Sequence, residues 1–393
     1  MTEEESPADG PPPYLFQVVE GPTYNPEDFL LPTLRLLSRR FAGEMWSYGS
    51  YEADIQVERM RLRVVKDTTG NRIGNYLRFS RQVMRRAREL RASTPQRLVV
   101  TSYDPFKGGL LAWRVARLLR GTFVCEVNGQ YGDPDNFAHV GSALWKWARL
   151  LQMRVMGSFV LHRADGVRLL FAEQLANFAV VRPHTVVRHF FALSFTDRFQ
   201  PGPEERIILC AGFPFERKGV DTLVSAFTSV ADKYPQWRLV LIGHRLPEQL
   251  CERGLEHPQV DALPGMPQEQ LAQWMSRCAI FALPSRSEAM GRVLIEAAAA
   301  EKSRIATRVG GIPTVVEQGY DGLLVPKGDV EQLATGLAAL MGDDALRHRL
   351  GRAAKKRTES EFSGESYLKL FEELIAASLA ASGGNVPPRI VVS

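Results

Sequence analysis

The sequence predicts an α/β protein of two Rossmann-like parallel-sheet domains facing across a cleft. Three observations carry this. Short apolar runs alternate with helix-like stretches of about 10–15 residues, the pattern of βαβ units. The alternation occurs in both halves, separated near 190–205 by FTDRFQPGPEER, which mixes turn formers and charge before a new strand. The chain has 393 residues, 45% of them hydrophobic, enough for two ordinary cores.

In the first half, LFQVVE (15–20), RLVVTSY (97–103) and TFVCEVNG (122–129) read as strands, and 29–41, 75–92, 108–120 and 142–162 as helices. Residues 44–66 read as one or two strands. In the second half the strands are 207–211, 238–243, 279–283 and 304–307, and the helices 220–233, 267–277, 290–301 and 329–341. The last stretch reads as helical to about Ala381. The expected division is a disordered leader at 1–13, a first domain at 14–195, a second at 196–365, and a C-terminal helix with a loose tail at 366–393.

Composition excludes several classes. Cys125, Cys210, Cys251 and Cys278 lie far apart in or beside apolar stretches, with no CxxC pair, so buried thiols are expected rather than a zinc site or disulfide framework. No apolar run reaches the ~18–20 residues that span a bilayer, and the N-terminus is acidic and Pro-rich, unlike a secretory signal. The expected location is cytoplasmic, with peripheral contact to the inner face of the membrane. No G-x-G-x-x-G follows a strand, which disfavours a dinucleotide oxidoreductase. No nucleic-acid motif interleaves aromatic and basic residues, so no nucleic-acid partner is expected. No metal cluster is visible, and neither metal nor cofactor is expected. Charge is uneven: residues 29–200 hold 27 Lys and Arg against 13 Asp and Glu, a net +14. Such a field draws anionic partners.

The chemistry concentrates in LPSRSEAMGRVLIEAAAAEK (283–302). A strand ends, the chain turns through Pro284-Ser285-Arg286-Ser287, and a helix is expected to begin at about Ala289. Glu288 would stand at its mouth. The first-turn N–H groups, from Ala289 and Met290 to Gly291 and Arg292, lack intrahelical partners, and the helix dipole makes that end positive, which suits a diphosphate. Gly291 allows close approach of an anion. Glu296 lies eight residues beyond Glu288, about 12 Å along a helix. That separation lets one carboxylate meet a sugar while the other accepts the two hydroxyls of a ribose. It also exceeds the ~5–5.5 Å expected of a double-displacement glycosidase pair. The competing reading is a helix-terminal acid and a surface glutamate, but Glu296 lies among Leu294, Ile295 and alanines, where a carboxylate needs partners.

A second segment, CAGFPFERKGVDTLVSAF (210–227), follows a strand with Gly212, then a loop, then Lys218-Gly219 opening a helix. A lysine there can neutralise a leaving diphosphate.

With these segments in view, residues ~205–345 resemble the donor domain of glycosyltransferase family 4, a retaining family of GT-B fold. Four motifs carry the resemblance: Gly212 with Lys218-Gly219; Pro284-Ser285 before Glu288; Glu288-x7-Glu296; and Val309-Gly310-Gly311-Ile312-Pro313 followed by Asp321-Gly322-Leu323-Leu324-Val325. The resemblance implies a retaining hexosyl-transferring enzyme that uses a nucleotide-diphosphate sugar. Lys218 would bind the diphosphate, Glu288 the transferred sugar and Glu296 the ribose, with Gly265-Met266 near the base. The acceptor would be a sugar or lipid-linked saccharide in polysaccharide or cell-envelope glycan synthesis. A sugar-nucleotide epimerase or hydrolase on the same scaffold, or a non-catalytic sugar-binding protein, are the rival readings.

The chain departs from the family in places. Gly212-Phe213-Pro214 replaces the usual Gly-Arg-Leu, removing a phosphate-binding arginine for which Arg217 or Arg292 is the candidate substitute. Thr314 stands where the family has glutamate. GPTYNPED (21–28) replaces the glycine-rich N-terminal loop. Asn128-Gly129 stands where many relatives have His-Gly with the His facing the donor sugar, which makes Asn128 a catalytic candidate beside Glu288; it can hydrogen-bond a sugar but cannot shuttle a proton. Asp104 and Asp133, beside strand ends, are the acceptor-side candidates. Helix 142–162 interleaves Trp145, Trp147, Leu150 and Leu151 with Lys146, Arg149 and Arg154. It reads either as a helix lying on an anionic membrane or as a core helix with basic outward positions.

Overall fold

The computed structural model describes residues 12–23, 30–68, 71–93, 97–137, 142–178, 184–186, 199 and 203–382. Most of the expected leader, the loop 24–28, most of the 190–205 boundary and the tail beyond 382 lie outside the described residues.

The first sheet has eight strands: β1 (Tyr14–Thr23), β2 (Ala42–Gly49), β3 (Ala53–Val57), β4 (Met60–Lys66), β5 (Leu98–Ser102), β6 (Thr122–Val127), β7 (Gly166–Leu169) and β8 (His184–Val186). Their order is β3-β4-β2-β1-β5-β6-β7-β8. All neighbours are parallel except β3 and β4. Residues 44–66 thus contribute to three strands, not one or two. β2 is buried almost throughout, while β3 alternates half-buried and exposed as an edge strand, paired to β4 through Glu58 at φ 47. Helices α1 (Leu30–Ser38), α2 (Arg72–Ser93), α3 (Lys107–Leu119) and α4 (Ala143–Leu161) match the expected four. The pleat sorts β1 by face. Phe16 and Val18 pack with Phe79 of α2, Val115 of α3 and Val160 of α4, whereas Leu15 packs with Leu34 of α1.

The second sheet is wholly parallel: β9 (Ile207–Ala211), β10 (Arg238–Ile242), β11 (Val260–Leu263), β12 (Ile280–Leu283), β13 (Ser303–Thr307) and β14 (Leu323–Val325), in the order β11-β10-β9-β12-β13-β14. Counted within the domain this is 3-2-1-4-5-6, the doubly wound order whose crevice opens between strands 1 and 4. Its helices are α5 (Phe215–Lys218), α6 (Val220–Ala231), α7 (Leu246–Glu252), α8 (Gln268–Arg277), α9 (Arg292–Ala299), α10 (Ile312–Val315), α11 (Val330–Gly342) and α12 (Asp344–Glu361). Cys125, Cys210 and Cys278 are buried as expected, and burial pushes the Cys210 and Cys278 thiols up to about 12. Cys251 is exposed, contrary to expectation. Leu246 and Leu250 turn the other side of α7 to the core.

The last helix, α13 (Gly364–Ser382), returns to the first sheet. It packs on β6, β7 and α1, with Phe371 and Leu374 in the core of that face. Gly166 makes the close approach possible, since a Cβ there would lie 1.9 Å from the Ser378 hydroxyl. The two domains also meet through loops that follow strands. Phe171, after β7, is buried in a core of the second domain and packs against Gly311, after β13. Asp135, after β6, pairs with Lys327, after β14, at 2.7 Å. All four loops leave carboxyl ends of parallel strands, so the two sheets point those ends at each other across a crevice.

Candidate active site

Lys218 and Glu288 meet at the switch point of the second sheet. Lys218 ends α5, just after β9, and Glu288 lies in the loop after the adjacent strand β12. The Lys218 ammonium is 2.6 Å from the Glu288 carboxylate, and both side chains are nearly buried. Glycines make room for the pair. Gly212 has φ 142, and a Cβ on it would sit 2.7 Å from the Lys218 stem. Gly219 has φ 64 and backs onto the Pro284 carbonyl, where a Cβ would come within 2.1 Å. Burial raises the Glu288 carboxyl, but the Lys218 ammonium, its hydrogen bond, nearby Arg217 and the Ser285 hydroxyl outweigh it. The net effect holds Glu288 below its ordinary 4.5, so it is an anion at neutral pH.

The helix expected from Ala289 begins later. α9 starts at Arg292, with Gly291 in the left-handed region at φ 73, ψ 55 as its N-cap. A left-handed residue cannot continue a helix, so 284–291 forms a loop, and Glu288 is not on the helix. The eight-residue spacing to Glu296 is therefore not a straight helical rise. The N–H groups at the mouth are those of Arg292 and its successors rather than Ala289. Met290 is buried in the core, while Ala289 is half-buried. The loop is braced from behind. Gly311 donates its N–H to the Ala289 carbonyl at 2.9 Å, and Gly310, at φ 50, lies so close that a Cβ would reach 1.8 Å from the Glu288 carbonyl. The Val309–Pro313 motif thus positions Glu288.

Glu296 is 8% exposed and pairs with Arg292 at 3.2 Å, one turn earlier. Arg217 donates to the Phe213 carbonyl at 3.0 Å, while its Nε is a buried nitrogen with no hydrogen-bond partner among the described residues. Arg286, not singled out from sequence, donates to the Glu216 carbonyl and pairs with Asp221 at 2.7 Å, tying the two loops together. Its place between Ser285 and Ser287 was the available signal. Met266 is half-buried in the loop after β11, and Gly265 lies near the His244 backbone. Thr314 turns its hydroxyl back to the Gly311 carbonyl. Asp321 is structural. Fully buried, it is held by Arg304 at 3.0 Å and Arg357 at 3.1 Å and caps the Glu317 N–H.

On the opposite side, Asn128 is fixed at both amide atoms. It donates to the Tyr103 carbonyl at 3.0 Å and accepts from Arg168 at 2.9 Å. Arg168 is buried against Glu126, whose carboxyl burial raises despite the guanidinium. Asp104 accepts from the Phe106 N–H and Asp133 from the Asp135 N–H, so both shape their own turns. Asp133 also acts electrostatically on Lys327 across the crevice. Among the described residues, no group of three or more His, Cys, Asp or Glu side chains is arranged to hold a metal ion.

Residues 195–357 match the family described as glycosyl transferases group 1. Curated relatives include the sulfoquinovosyl transferase SQD2 of Arabidopsis thaliana, 31% identical over 47% of this chain and 38% of that protein. A D-inositol 3-phosphate glycosyltransferase of Corynebacterium jeikeium is 32% identical over 45% of this chain and 49% of its own length. The chain therefore spans less than half of either relative. In fold, it is similar to the sucrose-phosphate synthase of Thermosynechococcus elongatus, with a TM-score of 0.74 and 19% identity over 94% of this chain and 99% of that one. It is also similar to Anabaena HepE solved with UDP-glucose, with a TM-score of 0.68 and 18% identity over 92% and 99%. These two likenesses establish the two-domain GT-B fold over nearly the whole chain. With the Lys218–Glu288 pair at the switch point and the glycine bracing behind it, residues 195–357 form a domain of the glycosyl transferases group 1 family.

Proposed function

We propose that the chain is a retaining glycosyltransferase that moves a sugar from a nucleoside-diphosphate donor to an acceptor hydroxyl, in the synthesis of a lipid-linked saccharide or cell-envelope glycan. The observation that carries this is the Lys218–Glu288 contact across the 3-2-1-4-5-6 switch point. The ammonium has three N–H donors, and Glu288 takes one. Lys218 is thus aimed and desolvated before a donor arrives. The diphosphate lies between Lys218 and the N-terminal end of α9, where fixed positive charge stabilises it most as it departs. Arg217 supplies the second cation. Its buried Nε favours it over Arg292, which is paired with Glu296. Glu296 accepts the ribose hydroxyls, and Met266 lies against the base.

In the reaction, the bond between the anomeric carbon and the β-phosphate oxygen breaks, and a bond to the acceptor oxygen forms on the same face. The acceptor proton passes to the departing phosphate oxygen, so no protein base is needed. Glu288 stays ionised and accepts hydrogen bonds from the sugar. A carboxyl held low is unsuited to the general-acid role of a glycosidase, which needs a raised value. Asn128 faces the transferred sugar, and Asp104 and Asp133 lie on the acceptor side. The reaction needs no metal.

Incubation with a panel of nucleotide-sugars and candidate acceptors tests this reading. Acceptor-dependent release of nucleoside diphosphate supports it. Donor consumption at the same rate without acceptor would instead identify a hydrolase or epimerase, and binding without turnover a sugar-binding protein.

A further inference from the structure

Among the described residues, eleven large hydrophobic side chains are exposed, and eight of them lie on α2 and α4. Both helices cover the same face of the first sheet. On α4 the distribution is one-sided. At about 100° per residue, Gly157, Val160 and Leu161 turn to the protein and are buried. Leu144, Trp147, Leu151, Val155 and Phe159 line the opposite side, flanked by Trp145. Their exposures are 74% for Leu144, 65% for Trp145, 62% for Trp147 and 63% for Val155. A helix apolar all round belongs in a core, yet half of this one is bare. The reading of α4 as a core helix with basic outward positions is therefore overturned, because its outward stripe is apolar.

Charge decides what covers it. α2, α3 and α4 carry seven, three and three Lys or Arg respectively, and Glu89 is the one acidic residue among their 54 positions. At the stripe's end, the Arg163 guanidinium lies 3.5 Å over the Phe159 ring, and Arg117 and Arg163 flank Trp113. A second copy of this chain would bring the same basic rim onto itself under two-fold symmetry, and like charges would oppose it. Tryptophan and leucine within a cationic border match a lipid surface with anionic headgroups. We propose that the outer face of α2–α4 seats on an anionic bilayer, with the α4 stripe inserted at the headgroup boundary. The face is also continuous with the crevice. Trp147, Leu151 and Arg154 line a cavity of about 240 Å³ with Tyr131 and Gly132, the residues just before Asp133. The tail of an amphiphilic acceptor entering from the bilayer would lead its head to that loop.

The test uses the full chain and two sets of vesicles, phosphatidylcholine alone and phosphatidylcholine with phosphatidylglycerol in equal parts. Docking predicts co-sedimentation with the second set only, weakened by salt, and a blue shift of tryptophan emission. Trp147→Ser with Val155→Ser should lower vesicle affinity by at least about tenfold, and Arg149→Glu with Arg154→Glu should abolish the preference for anionic lipid. Both variants should keep the parent's circular dichroism and nucleotide binding. Absence of vesicle binding, binding unchanged in both variants, or self-association lost in Trp147→Ser would overturn the proposal. Vesicle binding is read without donor, so a protein that docks but transfers nothing refutes the transferase reading alone.

Discussion

The ammonium of Lys218 and the carboxylate of Glu288, seventy residues apart in sequence, lie 2.6 Å apart where the second sheet reverses its winding. The two charges are paired in a nearly dry setting. Lys218 keeps a buried carboxyl ionised, and Glu288 keeps a buried ammonium paired in the place where a diphosphate would bring further negative charge.

Removing Lys218 should therefore shift a titration as well as a rate. With the ammonium gone, burial opposes the Glu288 anion more strongly and its pKa rises. A group held low contributes above its unfolded value and loses that contribution as pH falls through its folded value. In the parent that loss lies below the ordinary 4.5. Lys218→Ala should move the acid limb of kcat/KM to higher pH and lower its plateau by about 10²–10³-fold. An unmoved acid limb would separate Glu288 from the activity.

The two candidate arginines should differ. Arg217→Ala removes a charge-assisted contact and should weaken nucleoside-diphosphate binding by about ten- to hundredfold, measured by calorimetry. Arg292→Ala should cost less, because Arg292 already neutralises Glu296. The reverse order would assign the phosphate to Arg292.

Gly310→Ala should damage the site from behind. The residue is at φ 50, and its Cβ would collide with the Glu288 carbonyl. We expect a loss of more than about 1 kcal/mol of stability in urea titration. The fall in turnover should exceed what the unfolded fraction explains, because the Glu288 loop must move. Wild-type turnover would show that the Gly310-Gly311 turn does not position Glu288.

Asp321→Ala should act on stability without a specific effect on donor binding. The carboxylate partners two arginines, one of them fully buried, and burial lowers the Arg304 guanidinium to about 10 despite Asp321. Leaving that cation uncompensated should cost about 3–5 kcal/mol, read as a lower urea midpoint. Donor affinity of the fraction still folded should be unchanged.

The parts of the fold legible in sequence were those with a strong period. The buried strand 207–211 and the helix after it were located closely because every strand residue is buried and the helix opens at Lys218-Gly219. Short strands β11 and β14 were not foreseen. β11 is only half-buried along its length, and β14 is three residues long. The sequence places the start of α9 three residues early, because it shows a glycine but not the left-handed backbone of Gly291 that breaks the helix. The Lys218–Glu288 pairing, and the structural role of Asp321, depend on contacts distant in sequence that no local pattern carries. The exposed stripe on α4 is only one of two readings the sequence allows, for a related reason. Sequence shows that a helix is apolar on both sides, but not which side the sheet covers.

Pyrophosphate is expected in the space between Lys218 and the mouth of α9. A crystal structure with bound UDP, GDP or ADP tests it most directly. The expected result is a phosphate oxygen within hydrogen-bond reach of the Lys218 ammonium and the ribose against Glu296. A nucleotide bound elsewhere, with the Lys218–Glu288 contact undisturbed and no phosphate beside it, would contradict it.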